Sequence, residues 1–194
     1  MENRRHVLIK ALRDESDTIR TTAAEALECL EIRGRLGKLH DMVQSGEKIE
    51  KLRAIYALGN LRGQQVINMV LWATKDEIED VRAAAYRVLG KIGDTRVLPY
   101  LVEGLKDASV IVARVVIEAM NNFNDPQLLS PLMHQLKSKD HGVVERALEF
   151  IGRSGDSRAE EAMIYFSAKG NQTMRNTSLK SLGVMEVPVA EPSE

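Results

Sequence analysis

Cysteine and aromatic residues are scarce in this chain, and it has no long apolar run. The single cysteine, Cys29, excludes an internal disulfide and any metal cluster built on cysteines. Aromatic residues make up only 4% of the sequence, which favours helices that pack closely through small side chains. The first segment, MENRRHVLIKALRDE, has too few consecutive apolar residues for a signal peptide or a membrane span. We therefore expect a soluble, cytoplasmic protein without a membrane partner.

An excess of charge of one sign is also missing. The formal net charge is −1, from 27 basic and 28 acidic residues. Proteins that bind nucleic acid usually carry a basic patch or stripe, so the composition argues against a nucleic-acid partner. Hydrophobic residues make up 44% of the chain, which is typical of a folded domain.

Equivalent residues recur every 31 positions from near the start of the chain almost to its end. One wholly apolar column contains Leu8, Leu39, Val70, Leu101, Leu132 and Met163. A column of mostly small residues contains Ala23, Ala54, Ala85, Val116, Ala147 and Ser178. A third column contains Glu28, Gly59, Gly90, Asn121, Gly152 and Gly183. Several aligned columns without a gap indicate a true internal repeat.

Each repeat is predicted to form two short helices. Residues 97–105 have apolar side chains at helical spacing, and Ser109 is the expected N-cap of the helix that follows. Asp125 and Asp156 are expected to start first helices, and Asn124 and Gly155 suit the left-handed turn before them. No run of alternating β-branched residues indicates a strand. Glycines that follow the repeat are interpreted as helix ends.

The predicted fold class is therefore all-α, a right-handed α-solenoid of about six helix pairs. A single solenoid is expected over residues 1–185, and the charged first helix and polar last repeat favour a complete array. The repeats are placed at approximately 1–32, 33–63, 64–94, 95–125, 126–156 and 157–185. Residues 186–194, with two prolines, are expected to form a flexible tail.

The stretch DVRAAAYRVLGKIGD at 80–94, followed by VLPYL at 97–101, resembles a HEAT repeat of the short kind named from the phycobilin-lyase subunits. The resemblance covers roughly residues 4–185 and implies a solenoid whose second helices line a concave face. It also implies a ladder of acidic and basic residues that bond between neighbouring repeats. Its acidic column would be Asp14, Ser45, Asp76, Asp107, Ser138 and Lys169. Its basic column would be Arg20, Lys51, Arg82, Ala113, Val144 and Arg175, so the ladder is expected in the first half and broken in the second.

The sequence shows no catalytic constellation, so we predict no catalytic, cofactor or metal site and no enzyme activity. HEAT-like hydroxylases hold iron through His-Glu dipeptides, and none of the histidines, His6, His40, His134 and His141, is followed by Glu. His40 falls in an apolar column and is interpreted as a packing residue. Cys29 follows Glu28, whose negative charge disfavours a thiolate, so it is a poor nucleophile.

Function is then expected on a surface, namely that of the second helices. The columns of positions 83 and 87 are predicted to point outward, since residues four apart share a helix face. The candidate partner-binding residues in these columns are Leu52, Tyr56, Arg87, Arg114, Glu118 and Glu149. Tyrosine and arginine often dominate binding energies, although an ordinary solvated surface would look similar. Trp72, on a first helix, is a further candidate, either as a partner anchor or folded over Leu71 and Leu101.

These observations predict a non-enzymatic interaction module that binds an unidentified protein or peptide. One alternative is an accessory subunit of a phycobilin-lyase-like enzyme acting on a protein-bound tetrapyrrole. A third possibility is a scaffold for oligomer assembly through Trp72, although a monomer is favoured.

Overall fold

The computed structural model describes residues 2–34 and 36–185, and within them the chain is helical without any strand. The first helices of the repeats are α1 (Glu2–Ala11), α3 (Leu36–Ser45), α5 (Gln64–Ala73), α7 (Leu98–Gly104), α9 (Leu129–Gln135) and α11 (Glu160–Lys169). The second helices are α2 (Asp17–Gly34), α4 (Lys48–Leu58), α6 (Glu79–Ile92), α8 (Val110–Met120), α10 (His141–Ser154) and α12 (Gln172–Leu182). The predicted all-α solenoid of helical repeats is confirmed. The tail predicted at 186–194 lies outside the described residues.

The helices form two compact units, Met1–Ile92 and Gly93–Glu194. The boundary coincides with the end of the third predicted repeat, so each unit holds three helix pairs. In the first unit α3 packs on α4 and α5, and α6 packs on α4 and α5. In the second unit α10 packs on α8, α9 and α12. First helices thus cover their own second helices, and the second helices pack side by side in the pairs α4 with α6, α8 with α10 and α10 with α12.

The apolar columns seen in the sequence form the core of each unit. Val70, Leu101, Leu132 and Met163 are completely buried, as are Ala54, Ala85 and Ala147 from the column of small residues. Burying one large aliphatic side chain contributes about 1.5–3 kcal/mol, so the apolar column stabilises each unit substantially. Alanine in the second column lets adjacent helices approach closely.

The repeats at the two ends of the chain are less buried than those between them. Helix α1 has no buried residue, and α2 has only Ala23. Leu179 of α12 is 56% exposed, whereas its equivalent Leu148 in α10 is fully buried. A terminal repeat has a neighbour on one side only, so its outer face remains in solvent.

Side chains that accept backbone N–H groups start many of the helices. Ser109 caps α8, and Asp125 and Asp156 cap the short 3-10 turns that lead into α9 and α11, as predicted. Gly155 adopts the expected left-handed conformation with φ +66°, but the prediction for Asn124 is wrong. Only glycines among the described residues have positive φ. Helix α8 instead ends through tight turns, in which Asn121 and Phe123 donate to the carbonyls three residues before them.

Two of these N-terminal turns carry an Asp followed two residues later by Arg. Asp94 accepts from the Arg96 backbone at 3.0 Å and from its guanidinium at 2.6 and 2.8 Å. The Arg96 side chain lowers the pKa of Asp94 to about 2, with help from the backbone bond. Asp156 and Arg158 repeat this arrangement, and Arg158 lowers the pKa of Asp156 in the same way. Both carboxylates therefore remain ionised caps over a wide pH range.

The third column of the sequence, which contains Gly59 and Gly152, has a packing role. A Cβ on Gly59 would lie 3.2 Å from a methyl of Val88, and one on Gly152 would lie 2.0 Å from the Ser181 hydroxyl. Both contacts join residues 29 positions apart, on successive second helices. The interpretation of these glycines as helix ends is therefore corrected for Gly90, which lies inside α6, and for Gly152, which lies inside α10. Gly152 is needed because Ser181 of α12 crosses directly over it.

Candidate functional site

In the first unit the predicted residues Tyr56 and Arg87 meet on the solvent side of α4 and α6. Tyr56 is 46% exposed and Arg87 is also exposed. The Arg87 Nη1 donates to the Tyr56 hydroxyl at 3.4 Å. The two residues are 31 positions apart, so equivalent positions of successive second helices are in contact across the surface.

Three more polar residues extend this pair along the same two helices. Lys91 Nζ donates to Asn60 Oδ1 at 2.7 Å, again across 31 residues. Arg53 is exposed and lies one turn before Tyr56 on α4. We call Arg53, Tyr56, Asn60, Arg87 and Lys91 the α4–α6 surface. Arg53, Asn60 and Lys91 are not among the residues predicted from the sequence, although the repeat spacing of Asn60 and Lys91 was a signal for those two.

The α4–α6 surface carries positive charge that no carboxylate compensates inside the first unit. Among the described residues of Met1–Ile92, no ion pair involves Arg53, Arg87 or Lys91. The oxygens that accept from Arg87 and Lys91 belong to neutral side chains. The acidic residues of the neighbouring second helix, Glu25 and Glu28, are exposed on α2. The surface is therefore basic, with a tyrosine at its centre.

The column of position 83 is less exposed than predicted. Ala83 is buried, with 8% of its surface exposed, because α6 packs against both α4 and α5. The expectation that it points outward is wrong. Leu52, the candidate from the same column, is half-buried on α4 and adds little apolar surface beside Tyr56.

In the second unit the candidate carboxylates are exposed but have cations near them. Glu118 Oε1 accepts from Arg146 Nε at 2.7 Å. Glu149 lines a hollow of about 460 Å³ that Arg153 and Lys180 also line. Glu118 is therefore paired with a basic side chain, and Glu149 shares a hollow with two.

The remaining candidate of the second unit, Arg114, makes a structural contact. Its Nε and Nη2 donate to the two carboxylate oxygens of Asp140 at 2.7–2.9 Å. The same carboxylate accepts from the backbone of Val143 at 2.8 Å, which caps α10. Arg114 passes over Gly142, where a Cβ would come within 2.5 Å of Nε. The guanidinium is thus occupied between two helices and lowers the pKa of Asp140.

This contact belongs to a ladder that joins a second helix to the turn before the next one. In the first unit Lys51 donates to Asp76 at 2.5 Å across 25 residues, on the expected columns. In the second unit Arg114 bonds Asp140, and Asn171 donates to Glu145 at 2.8 Å, both across 26 residues. The expected acidic and basic columns are broken there, but polar contacts between repeats continue one or two residues further along the chain.

Two hollows open beside α10 in the second unit. The hollow of about 460 Å³ lies along α10 and α12 and has Gly152 and Ser181 among its lining residues. A hollow of about 360 Å³ is bordered by the turn after α8 and by Phe150. Asn121 and Arg153, which are hydrogen bonded to each other, contribute to both hollows.

Trp72 lies apart from the second-helix surfaces. It is 47% exposed on α5, so it is only partly covered by its neighbours. It borders a hollow of about 280 Å³ that Lys75 and Glu77 also line. An exposed indole beside charged side chains is a typical contact residue, which keeps Trp72 as a second candidate.

The histidine and cysteine considered for chemistry have packing roles in the structure. His40 is half-buried on α3, and Cys29 donates its thiol to the Asn60 carbonyl at 3.3 Å. Over residues 2–34 and 36–185, no group of three His, Cys, Asp or Glu side chains could hold a metal ion. In the same part of the chain, no helix has the length and apolar character to cross a bilayer.

Comparison with known families and structures identifies the repeat. The family model described as HEAT repeats matches residues 36–114 and 98–183. A search of curated protein sequences gave no match.

Among solved structures, an engineered protein from the Northeast Structural Genomics Consortium aligns with TM-score 0.53 and 18% identity, covering 94% of this chain and 96% of that one. A designed armadillo repeat protein in complex with peptide (KR)4 aligns with TM-score 0.57 and 15% identity, covering 92% and 98%. The complex of CpcE and CpcF of phycocyanin lyase from Nostoc sp. PCC7120 aligns with TM-score 0.53 and 17% identity, covering 92% and 76%. At these identities the likeness establishes the fold.

Proposed function

The chain belongs to the HEAT-repeat family, and from that premise we propose that it is a non-catalytic module that binds a protein or peptide through its second helices. One observation carries the proposal. Tyr56 and Arg87, residue types that often dominate binding energies, meet in the open on equivalent positions of successive repeats. Similar solenoids are known as partners of peptides and proteins, as in the designed armadillo protein with its peptide and in the CpcE–CpcF complex.

Within the second unit, Glu118 and Glu149 remain candidates for partner contact, because both are exposed. Arg114 is assigned a supporting role, since its donors already bond Asp140. The centre of the proposed binding site is therefore the α4–α6 surface, with Leu52 at its half-buried edge.

The proposal can be tested with peptides selected from a random library on the immobilised wild-type chain. Their affinities are then measured by fluorescence anisotropy for wild type, Tyr56→Ala and Tyr100→Ala. Tyr100 is a matched control, because it is 42% exposed but lies on a first helix. A tyrosine at the centre of an interface contributes about 2 kcal/mol or more, so Tyr56→Ala should weaken binding roughly thirtyfold. Equal effects of the two variants, or none from either, would refute the proposal.

An accessory role in a phycobilin-lyase-like enzyme is the second candidate, supported by the fold shared with the CpcE–CpcF complex. It is tested by absorbance titration of the chain with a bilin and an acceptor protein. A spectral shift together with transfer would favour this role. An unchanged spectrum and no transfer would eliminate it.

The exposure of Trp72 supports a scaffold role through self-association as a further proposal. Light scattering over a wide concentration range tests it. A mass that rises with concentration, and stays constant in Trp72→Ala, would favour the scaffold. A constant monomer mass for wild type would eliminate it.

A further inference from the structure

We propose that the α4–α6 surface recognises an acidic peptide segment, with carboxylates bound by Arg87, Lys91 and Arg53 and an apolar side chain resting on Tyr56. This inference rests on the proposed binding function and adds the chemistry of the partner. It follows from the charge, the geometry and the rigidity of the surface.

The charge of the surface favours an anionic ligand. Arg87 and Lys91 bond only neutral oxygens, those of Tyr56 and Asn60. A carboxylate that takes the place of such a neutral acceptor forms a charge-assisted hydrogen bond, which is shorter and stronger than a neutral one. The bond from Arg87 to Tyr56 is long, at 3.4 Å, so little is lost when the guanidinium turns to a ligand.

The spacing of the cations suits an extended chain. Arg87 and Lys91 lie one turn apart on α6, while Arg53 lies on the adjacent helix α4. Packed helices are about 8–10 Å apart, and an extended peptide advances about 3.3 Å per residue. A peptide that crosses from α4 to α6 therefore meets the next cation after about three residues. We expect acidic residues at about every third position of the ligand.

The α4–α6 surface also rests on well-packed, buried side chains. Ile55 and Leu58 of α4 and Leu89 of α6 have no exposed surface, and Val88 fits against Gly59. Side chains on such rigid helices lose little further backbone entropy on binding, so weak charge contacts add up to a useful affinity.

A peptide fits this surface better than nucleic acid does. Proteins that bind nucleic acid through phosphates typically make about 6–10 such contacts, whereas this surface offers three cations. The exposed Glu25 and Glu28 on the neighbouring α2 would repel a longer phosphate backbone.

The test uses the full chain and dye-labelled peptides of Gly-Glu-Leu, Gly-Gln-Leu and Gly-Lys-Leu repeats, with a single-stranded thymidine oligonucleotide of equal length. Affinities are measured for wild type, Arg87→Glu, Tyr56→Ala and Lys38→Glu. Lys38 is an exposed residue of first helix α3 and controls for the change in net charge. Circular dichroism confirms that each variant is folded. Arg87→Glu replaces a close charge pair at the interface with repulsion, so it should weaken binding of the Glu peptide by about tenfold or more.

The proposal is supported if the Glu peptide binds more tightly than the other three ligands and if both Arg87→Glu and Tyr56→Ala, but not Lys38→Glu, weaken its binding. It is overturned if the oligonucleotide binds more tightly in an Arg87-dependent way. It is also overturned, while the binding function itself stands, if the Gln or Lys peptide binds best and depends on Tyr56. If no ligand binds, or if Tyr56→Ala leaves the affinity of the best ligand unchanged, the acidic-peptide proposal fails, and the library selection with Tyr56→Ala and Tyr100→Ala decides the binding function separately.

Discussion

Gly152→Ala tests whether close contact between successive second helices, rather than helix termination, explains the glycines of the repeat. The added Cβ would lie 2.0 Å from the Ser181 hydroxyl oxygen and 3.0 Å from the Ser181 Cβ. Rotation of the hydroxyl can relieve the first contact but breaks its 2.8 Å bond to the Thr177 carbonyl. The second contact remains until α10 and α12 move apart.

The expected magnitude follows from opposing terms. Alanine is favoured over glycine inside a helix by about 1 kcal/mol. Overpacking costs about 1–3 kcal/mol, and a lost hydrogen bond costs about 1 kcal/mol more. The net expectation is a decrease of about 1–3 kcal/mol in the free energy of unfolding.

Urea denaturation followed by circular dichroism measures this change, with Gly37→Ala as the matched control. Gly37 lies in α3, and a Cβ added there would have nothing within 4 Å, so alanine should stabilise the chain by up to about 1 kcal/mol. Combining Gly152→Ala with Ser181→Gly should recover much of the loss, because the clashing side chain is gone. If Gly152→Ala stabilises the chain as Gly37→Ala does, the packing explanation is wrong.

Three further predictions concern groups inside the repeats. His40→Leu should raise the free energy of unfolding by about 1 kcal/mol in urea denaturation, because the buried His40 Nδ1 has no partner among the described residues and its column is otherwise apolar; destabilisation would contradict this. Lys51→Ala should lower the free energy of unfolding by about 2–4 kcal/mol, because Asp76, whose side chain is 4% exposed, loses its ion pair with Lys51. An unchanged free energy would show that this contact is dispensable. Arg114 lowers the pKa of Asp140 below its ordinary value of 3.8. The contribution of this ion pair to stability is therefore complete above pH 3.8 and is lost as the pH falls through the lowered pKa. Asp140→Asn should therefore lower stability at neutral pH and reduce its acid dependence below about pH 4, and an unchanged pH profile would refute the assignment.

The helical repeat could be predicted because it depends on periodic burial. Leu101 and Leu132 recur in one column because each first helix must cover the same part of its second helix. Caps such as Ser109 and Asp156 could be predicted for a similar reason, since a helix start needs an acceptor at a fixed position.

The polar contacts between repeats could be predicted only in part. The sequence columns paired Lys51 with Asp76, but the second-unit rung lies one residue after the basic column, at Arg114, and two residues after the acidic column, at Asp140. The columns of charged residues do not predict this shift, because Arg114 reaches Asp140 by passing over Gly142, which is uncharged and has no side chain. For the same reason Arg114 looked like a free surface residue.

The two central residues of the α4–α6 surface could be predicted from the sequence, whereas the residues around them were not predicted. Tyr56 and Arg87 stood out because a tyrosine and an arginine shared a column predicted to face solvent. Asn60 and Lys91 share a column as well, but Cys29 in the same column weakened that signal. Ala83 was misplaced because helix geometry alone does not reveal that both α4 and α5 cover that part of α6.

The central claim, that the α4–α6 surface is the binding site, is tested most directly by nuclear magnetic resonance. The Gly-Glu-Leu peptide is titrated into the isotope-labelled full chain while backbone amide and Trp72 indole signals are followed. We expect progressive shifts for Arg53, Tyr56, Asn60, Arg87 and Lys91, with the signals of α3 and α5 unchanged. Shifts confined to α5 and the Trp72 indole, with α4 and α6 unaffected, would contradict it.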